Sequence, residues 1–303
     1  DHSELSQALD GLAPETVLVP LRLVWRIPNF DSRRPIKLRR FVFGDPRNPG
    51  AIRARLMIMK NSDRAELLKA APATIADLMS RFKSEYPKQA SSGEASFSDF
   101  VIRRAVIALD VAERKTQGAR YKLPRYVAET LGMDPDFRQA LSDLSAESGE
   151  PLETLRSRAG KYMNELIARP SPLFVDMRAR VDQSILANAY EGQLCYHEGD
   201  AQTLRAVMQN YPTLLLFTHK TYIDGSTPSN MLFEHDLPTA HTFAGQNVDF
   251  FGVGNMMRKM GIIFLRRDFK DNPLYKTVLR HYLGYLLSKR FPMSWSFEGT
   301  RSR

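Results

Sequence analysis

The 303-residue chain is 43% hydrophobic and 25% charged, a balance that suits a globular protein with a buried core and a length that suits about two domains. Its single cysteine, Cys195, excludes a disulfide framework or a cysteine-based zinc site, and no run approaches the ~20 apolar residues of a membrane-spanning helix. The net charge of +9 is concentrated late: Arg258 to Arg303 holds eleven lysines and arginines against three acidic residues, a field for phosphates, acidic carrier proteins, nucleic acid or an anionic membrane surface, or simply a solvated basic face.

The chain opens with DHSELSQALDG, which has no initiator methionine and no signal-peptide pattern. It stops at FEGTRSR, which reads as a loop after a strand, so a fragment of a longer protein is expected. Residues 16–26, TVLVPLRLVWR, alternate well enough to predict a strand. The Pro- and Arg-rich residues 27–50 read as loop. Residues 63–83 and 98–114 are expected to be helical, joined by the polar EYPKQASSGEAS. Residues 151–168 predict a helix, with Pro151 suited to its first turn and Leu152, Leu155, Ala159, Tyr162, Met163, Leu166 and Ile167 on one face. The RPSP that follows ends it, because Pro170 cannot continue the hydrogen-bond ladder. Residues 1–198 are thus expected to form a mainly helical N-terminal region with one early strand and no chemical motif.

From residue 199 the texture changes. Strand-like runs at 213–218, 239–244, 261–267 and in MSWSFEG are separated by helical stretches, among them 226–235. Asn272 and Pro273 read as the cap and first residue of a helix whose stripe is Leu274, Tyr275, Val278, Leu279, Tyr282, Leu283, Leu286 and Leu287. Strand–helix alternation predicts an α/β domain over 199–303, with ligands beyond the carboxyl ends of its strands. Three polar clusters follow strands there: His219 to Asp224, Arg266 with Arg267, and Glu298 to Arg303.

If His219 ends a strand and Asp224 lies in the turn after it, the carboxylate can hold one ring nitrogen and leave the other as a general base. An ordinary polar turn would contain the same residue types, and no third ligand at a recognisable spacing supports a metal. Arginine is the natural phosphate clamp, planar, bidentate and always charged. Arg266 and Arg267 could equally pair with Asp268 or Asp271 in solvent.

In order and in kind, these blocks resemble the glycerol-3-phosphate acyltransferase family, the bacterial membrane-associated enzyme in particular. HKTYID resembles its His-x4-Asp block, GIIFLRRDFKDNPLYKTVLRHYLGYL its second block, and FEGTRSR its third, and LVPLRLVW resembles a segment ahead of the catalytic domain. The chain departs from the family after the aspartate, where Gly225, Ser226, Thr227 and Pro228 replace apolar residues. A fourth block would lie beyond residue 303.

The resemblance implies an α/β acyltransferase fold, a mixed sheet flanked by helices, incomplete at its C-terminus. It implies transfer of a fatty acyl group from acyl-CoA or an acyl-carrier-protein thioester to the sn-1 hydroxyl of glycerol 3-phosphate. His219 would be the base and Asp224 its partner, with no acyl-enzyme, no metal and no cofactor. Arg267 and Arg301 would hold the substrate phosphate, with Arg266 and Arg303 as weaker candidates. Glu298, Gly299 and Lys220 would position the substrate. Peripheral attachment to an anionic membrane surface at the cytoplasmic face is expected. The nearest alternative is the same chemistry on dihydroxyacetone phosphate or lysophosphatidate. A basic nucleic-acid-binding module is the remote one, since no recognition motif appears and no nucleic acid is expected as a partner.

Overall fold

A computed structural model describes residues 7–9, 11–26, 45, 47, 49–87, 96–190, 195–221, 223–246 and 253–298. They fall into two compact units. One takes in the described residues up to Gln117 together with Gly132–Pro135, and the other takes in Gly118–Leu131 and the described residues from Asp136 onward.

The first unit contains strands β1 (Val17–Leu18), β2 (Leu21–Trp25), β3 (Ala65–Lys69) and β4 (Ala73–Thr74) and helices α1 (Ala51–Lys60), α2 (Ile75–Glu85) and α3 (Phe97–Gln117). The predicted early strand is present but divided, with Val19 and Pro20 between its halves. It pairs antiparallel with segments expected to be otherwise: β1 with β4, and β2 with β3, where Leu23 faces Leu67. The expected helix over 63–83 is therefore corrected. Residues 65–69 are a strand and only Ile75–Glu85 is helical, capped by the Thr74 side chain on the Asp77 N–H. α1 lies just after the stretch read as loop and was not anticipated. The alternation in β2 is kept, but its polar side turns inward: Arg22 meets Asp110 and Glu113 of α3 at 2.7 and 2.8 Å, while Leu21 and Leu23 face out.

The second unit contains α4 (Val127–Met133, its last residues shared with the first unit), α5 (Pro135–Ser148), α6 (Leu152–Leu166), α7 (Pro172–Ala189), α8 (Glu198–Asn210), β5 (Leu214–Phe217), α9 (Ser226–Glu234), β6 (His241–Gly245), α10 (Val253–Lys259), β7 (Ile262–Leu265), α11 (Pro273–Ser288) and β8 (Met293–Ser296). All four expected strands form, in the order β5-β8-β6-β7. Every pairing described in this sheet is parallel, where a mixed sheet was expected. Helical connections between successive strands impose that direction. Alternate strand residues feed different clusters, as the two-residue repeat requires. Ile263 and Met293 join Phe137, Leu155, Leu166 and the α11 stripe, whereas Leu215 packs with Met208, Leu232, Leu237 and Ala240.

α11 forms as its sequence dictates. Asn272 Oδ1 accepts the Tyr275 N–H at 2.9 Å, Pro273 takes the first helical position, and Leu274, Tyr275, Val278, Tyr282 and Leu286 are buried. Each such apolar side chain contributes roughly 1.5–3 kcal/mol. The end of α6 is tied down by the same helix, with the Ala168 N–H donating to the Tyr282 hydroxyl at 3.1 Å.

Candidate active site

Because the four strands run parallel, their carboxyl ends open on one edge of the sheet, the edge where α/β proteins bind ligands. β5 and β8 are neighbours, with Phe217 paired to Ser296, and the Phe297 N–H donates to the Phe217 carbonyl at 3.3 Å. Two residues beyond each strand stand His219 and Glu298. The His219 backbone N–H donates to Glu298 Oε2 at 2.7 Å, so the first and third polar clusters are joined directly. Glu298 holds the histidine's backbone, a contact that sequence reasoning did not foresee. The His219 ring stands edge-on to Phe217, with centroids 6.5 Å apart and planes at 82°.

Asp224 lies in the turn before α9, as the spacing predicts, and reaches back along the loop. Its Oδ2 accepts the Lys220 and Thr221 N–H groups at 2.5 and 2.6 Å, and its Oδ1 accepts the Thr221 hydroxyl at 2.6 Å. Desolvation pushes this carboxyl up. The Thr221 hydroxyl, the Thr221 and Lys220 N–H groups and the charge of His219 outweigh it and hold Asp224 below the ordinary carboxylate range. Asp224 is thus held as an anion that closes the loop after His219. Lys220 contributes a backbone N–H, and its side chain is exposed.

The two arginines after β7 differ sharply. Arg266 donates from Nε and Nη2 to both Glu165 oxygens at 2.8 and 2.6 Å, and its guanidinium lies over the Tyr162 and Tyr275 rings at 4.9 and 5.2 Å. The Glu165 bonds raise its pKa above the usual arginine value, against desolvation. Glu165 thus engages two of the Arg266 donor groups, Nε and Nη2. Arg267 is exposed at the end of the strand. Gly299, Arg301 and Arg303 lie outside the described residues.

Sequence reasoning also missed Thr221, which braces Asp224, and Glu165, whose side chain is legible only as one polar position on α6. A third omission lies behind the turn. Ser226, first residue of α9, donates to Asp182 of α7 at 2.8 Å.

Residues 200–303 match the family model described as Acyltransferase. The expected resemblance is borne out. The chain is 26% identical over 288 residues to the glycerol-3-phosphate acyltransferase of Pseudomonas putida strain KT2440, covering 94% of this chain and 33% of that protein. It is 25% identical over 291 residues to that of Pseudomonas entomophila, covering 95% and 33%. To that of Ectopseudomonas mendocina it is 30% identical over 201 residues, covering 66% and 23%. The similarity therefore extends upstream of the α/β region, and the chain spans about a third of the length of the first of these relatives.

Proposed function

We propose that this chain carries the catalytic site of an acyltransferase that moves a fatty acyl group from acyl-CoA or an acyl-carrier-protein thioester to the sn-1 hydroxyl of glycerol 3-phosphate. The product is lysophosphatidate, the first intermediate of phospholipid synthesis. The observation that carries this reading is the joining of His219 to Glu298 beyond the paired strands β5 and β8, with Asp224 closing the loop that follows the histidine, inside the region matched to the acyltransferase family.

The His219 imidazole takes the hydroxyl proton as the glycerol oxygen attacks the thioester carbonyl. Collapse of the tetrahedral adduct breaks the carbon–sulfur bond, and the imidazolium returns the proton to the departing thiolate. Asp224, ionised at neutral pH, stabilises the imidazolium as the acid of a serine triad does, without the serine. Glu298 keeps the histidine's backbone in place. Arg267, with Arg301 and Arg303 of the third block, is assigned to the substrate phosphate, and Lys220 and Gly299 to its approach. Arg266 is left to Glu165. A positioned base typically supplies ~10²- to 10⁴-fold, so orientation of the two substrates supplies much of the remainder.

No described helix is long and apolar enough to cross a membrane. Peripheral attachment to an anionic bilayer at the cytoplasmic face fits α1, which exposes Ile52, Leu56, Ile58 and Met59, contains three basic residues and has no acidic one.

The deciding experiment measures thiol release from a long-chain acyl-CoA and from an acyl-carrier-protein thioester, using the full-length protein. Glycerol 3-phosphate, dihydroxyacetone phosphate and lysophosphatidate are offered in turn. Release that depends on glycerol 3-phosphate and falls roughly 10²- to 10⁴-fold in His219→Ala is expected. Full activity in that variant would remove His219 as the base, and turnover confined to another acceptor would reassign the substrate.

A further inference from the structure

The turn after Asp224 is where this chain departs from the family pattern, and a buried pair of charges stands behind it. Gly225 has no side chain with which to cap α9. Instead the hydroxyl of Ser226 donates to Asp182 Oδ1 at 2.8 Å. Asp182 is 7% exposed and Arg178, one helical turn earlier on α7, is 8% exposed. Arg178 Nε stands 3.5 Å from Asp182 Oδ2. From there Arg178 donates to the Thr242 hydroxyl of β6 at 3.0 Å and to the Met260 carbonyl ahead of β7 at 3.4 Å.

A carboxylate at this depth is unfavourable unless it is paired and hydrogen-bonded. Its two oxygens are treated differently: Oδ2 has the Arg178 charge at 3.5 Å but no hydrogen bond, so the Ser226 hydroxyl on Oδ1 is the hydrogen bond this carboxylate receives. An apolar residue at 226 could not donate, and Oδ1 would lose that bond. Ser226 and Asp182 therefore belong together: the polar residue after the aspartate is matched by a polar residue beneath it.

The loop from His219 to Asp224 is fixed at its first end by β5 and Glu298. The bonds that Asp224 makes to Lys220 and Thr221 are internal to the loop and would travel with it. Only two residues beyond Asp224, the Ser226–Asp182 bond ties the second end to a buried group on another helix. We propose that Asp182, backed by Arg178 and acting through Ser226, is a positioning residue that holds Asp224 in register with His219. This rests on the acyl-transfer reading above.

The test uses the full-length protein with glycerol 3-phosphate as acceptor. Ser226→Ala and Asp182→Ala are each expected to lower kcat about 10-fold while KM for glycerol 3-phosphate stays within about twofold, the pattern of a misplaced catalytic group rather than a lost binding contact. The double variant should be no worse than the worse single variant, because both remove one interaction. Ser226→Thr, which keeps the hydroxyl, should recover most of the lost kcat. Amide exchange should rise at Lys220 and Thr221 in Ser226→Ala and not across the unit. Should Asp182→Ala fail to fold, the half-buried Ser226 carries the test through its alanine and threonine variants. An inactive wild type would remove the acyl-transfer reading and this inference with it. An active wild type beside a Ser226→Ala variant of normal kcat, or one whose loss only follows a fall in folded protein, removes this inference alone.

Discussion

Arg266 and Arg267 are adjacent, equally charged and placed at the end of one strand, yet their surroundings set them to different work. Removing the Arg266 guanidinium leaves Glu165, whose side chain is 17% exposed, without its bidentate partner. A lost charge-assisted hydrogen bond of this kind costs about 2 kcal/mol. Arg266→Ala should therefore lower the thermal midpoint. Arg266→Lys should recover little of the loss, because an ammonium cannot reproduce the fork. Arg267→Ala should leave the melt unchanged and raise KM for glycerol 3-phosphate about 10-fold, as loss of a phosphate contact does. Paired melting curves and kinetics separate the two, and a raised KM with an unchanged melt in Arg266→Ala would exchange their roles. The sequence shows both arginines and the strand that delivers them. It does not show which has a partner, because Glu165 stands on α6, about a hundred residues away. The nearness of His219 and Glu298 was legible for the opposite reason: each lies two residues beyond its strand, and the parallel pairing brings those two strand ends together.

Elements were legible where the local signals agreed and misread where a distant partner overruled them. α11 has a capping asparagine, a proline at its first position and an unbroken apolar stripe, and it forms as expected. AELLK at 65–69 is composed of good helix formers, yet β2 recruits it as a strand through the pairs Leu23–Leu67 and Val24–Glu66. Glycines in the second unit also divide by element. Gly225 has φ −67° and ψ −19°, and a Cβ there would meet Phe217 Cζ at 3.6 Å, an ordinary contact. Gly118 has φ +102°, and a Cβ there would come within 2.5 Å of Asp236 Oδ1, whose carboxylate receives the Ala119 N–H and Arg120 Nε. Gly118→Ala should cost about 2 kcal/mol or more in a denaturant titration, and Gly225→Ala less than about 0.5 kcal/mol. Equal effects would mean that backbone conformation does not decide at these turns. α1 supports a test at the membrane. Ile52, Leu56 and Met59 fall on one face at 82%, 51% and 74% exposure. Replacing Ile52 and Met59 with aspartate should sharply reduce sedimentation with phosphatidylglycerol vesicles. Unchanged sedimentation would move the attachment to another surface.

At the scale of the whole molecule, one buried base links stability to pH. His241 opens β6 at 2% exposure, its ring edge-on to Phe291 at 5.9 Å. Burial, aided by the charge of Arg178, pulls its pKa from 6.5 down to about 4. The native protein therefore holds His241 neutral through a range in which the unfolded chain takes up a proton. Stability from this group is complete above pH 6.5 and is lost as pH falls toward about 4. The loss reaches about 3 kcal/mol once the pH is below both values. Asp224, also depressed, makes a contribution that is present above its unfolded value of 3.8 and lost below it, so its window lies beneath that of His241. Between about pH 7.5 and pH 5 the slope of the thermal midpoint should thus belong largely to the histidine. His241→Asn, which cannot take up a proton, should start from a lower midpoint and decline less steeply over that range. A variant whose midpoint falls in parallel with the wild type would show that other groups drive the acid sensitivity, and that His241 is protonated in the native state far more readily than its burial beside Arg178 allows.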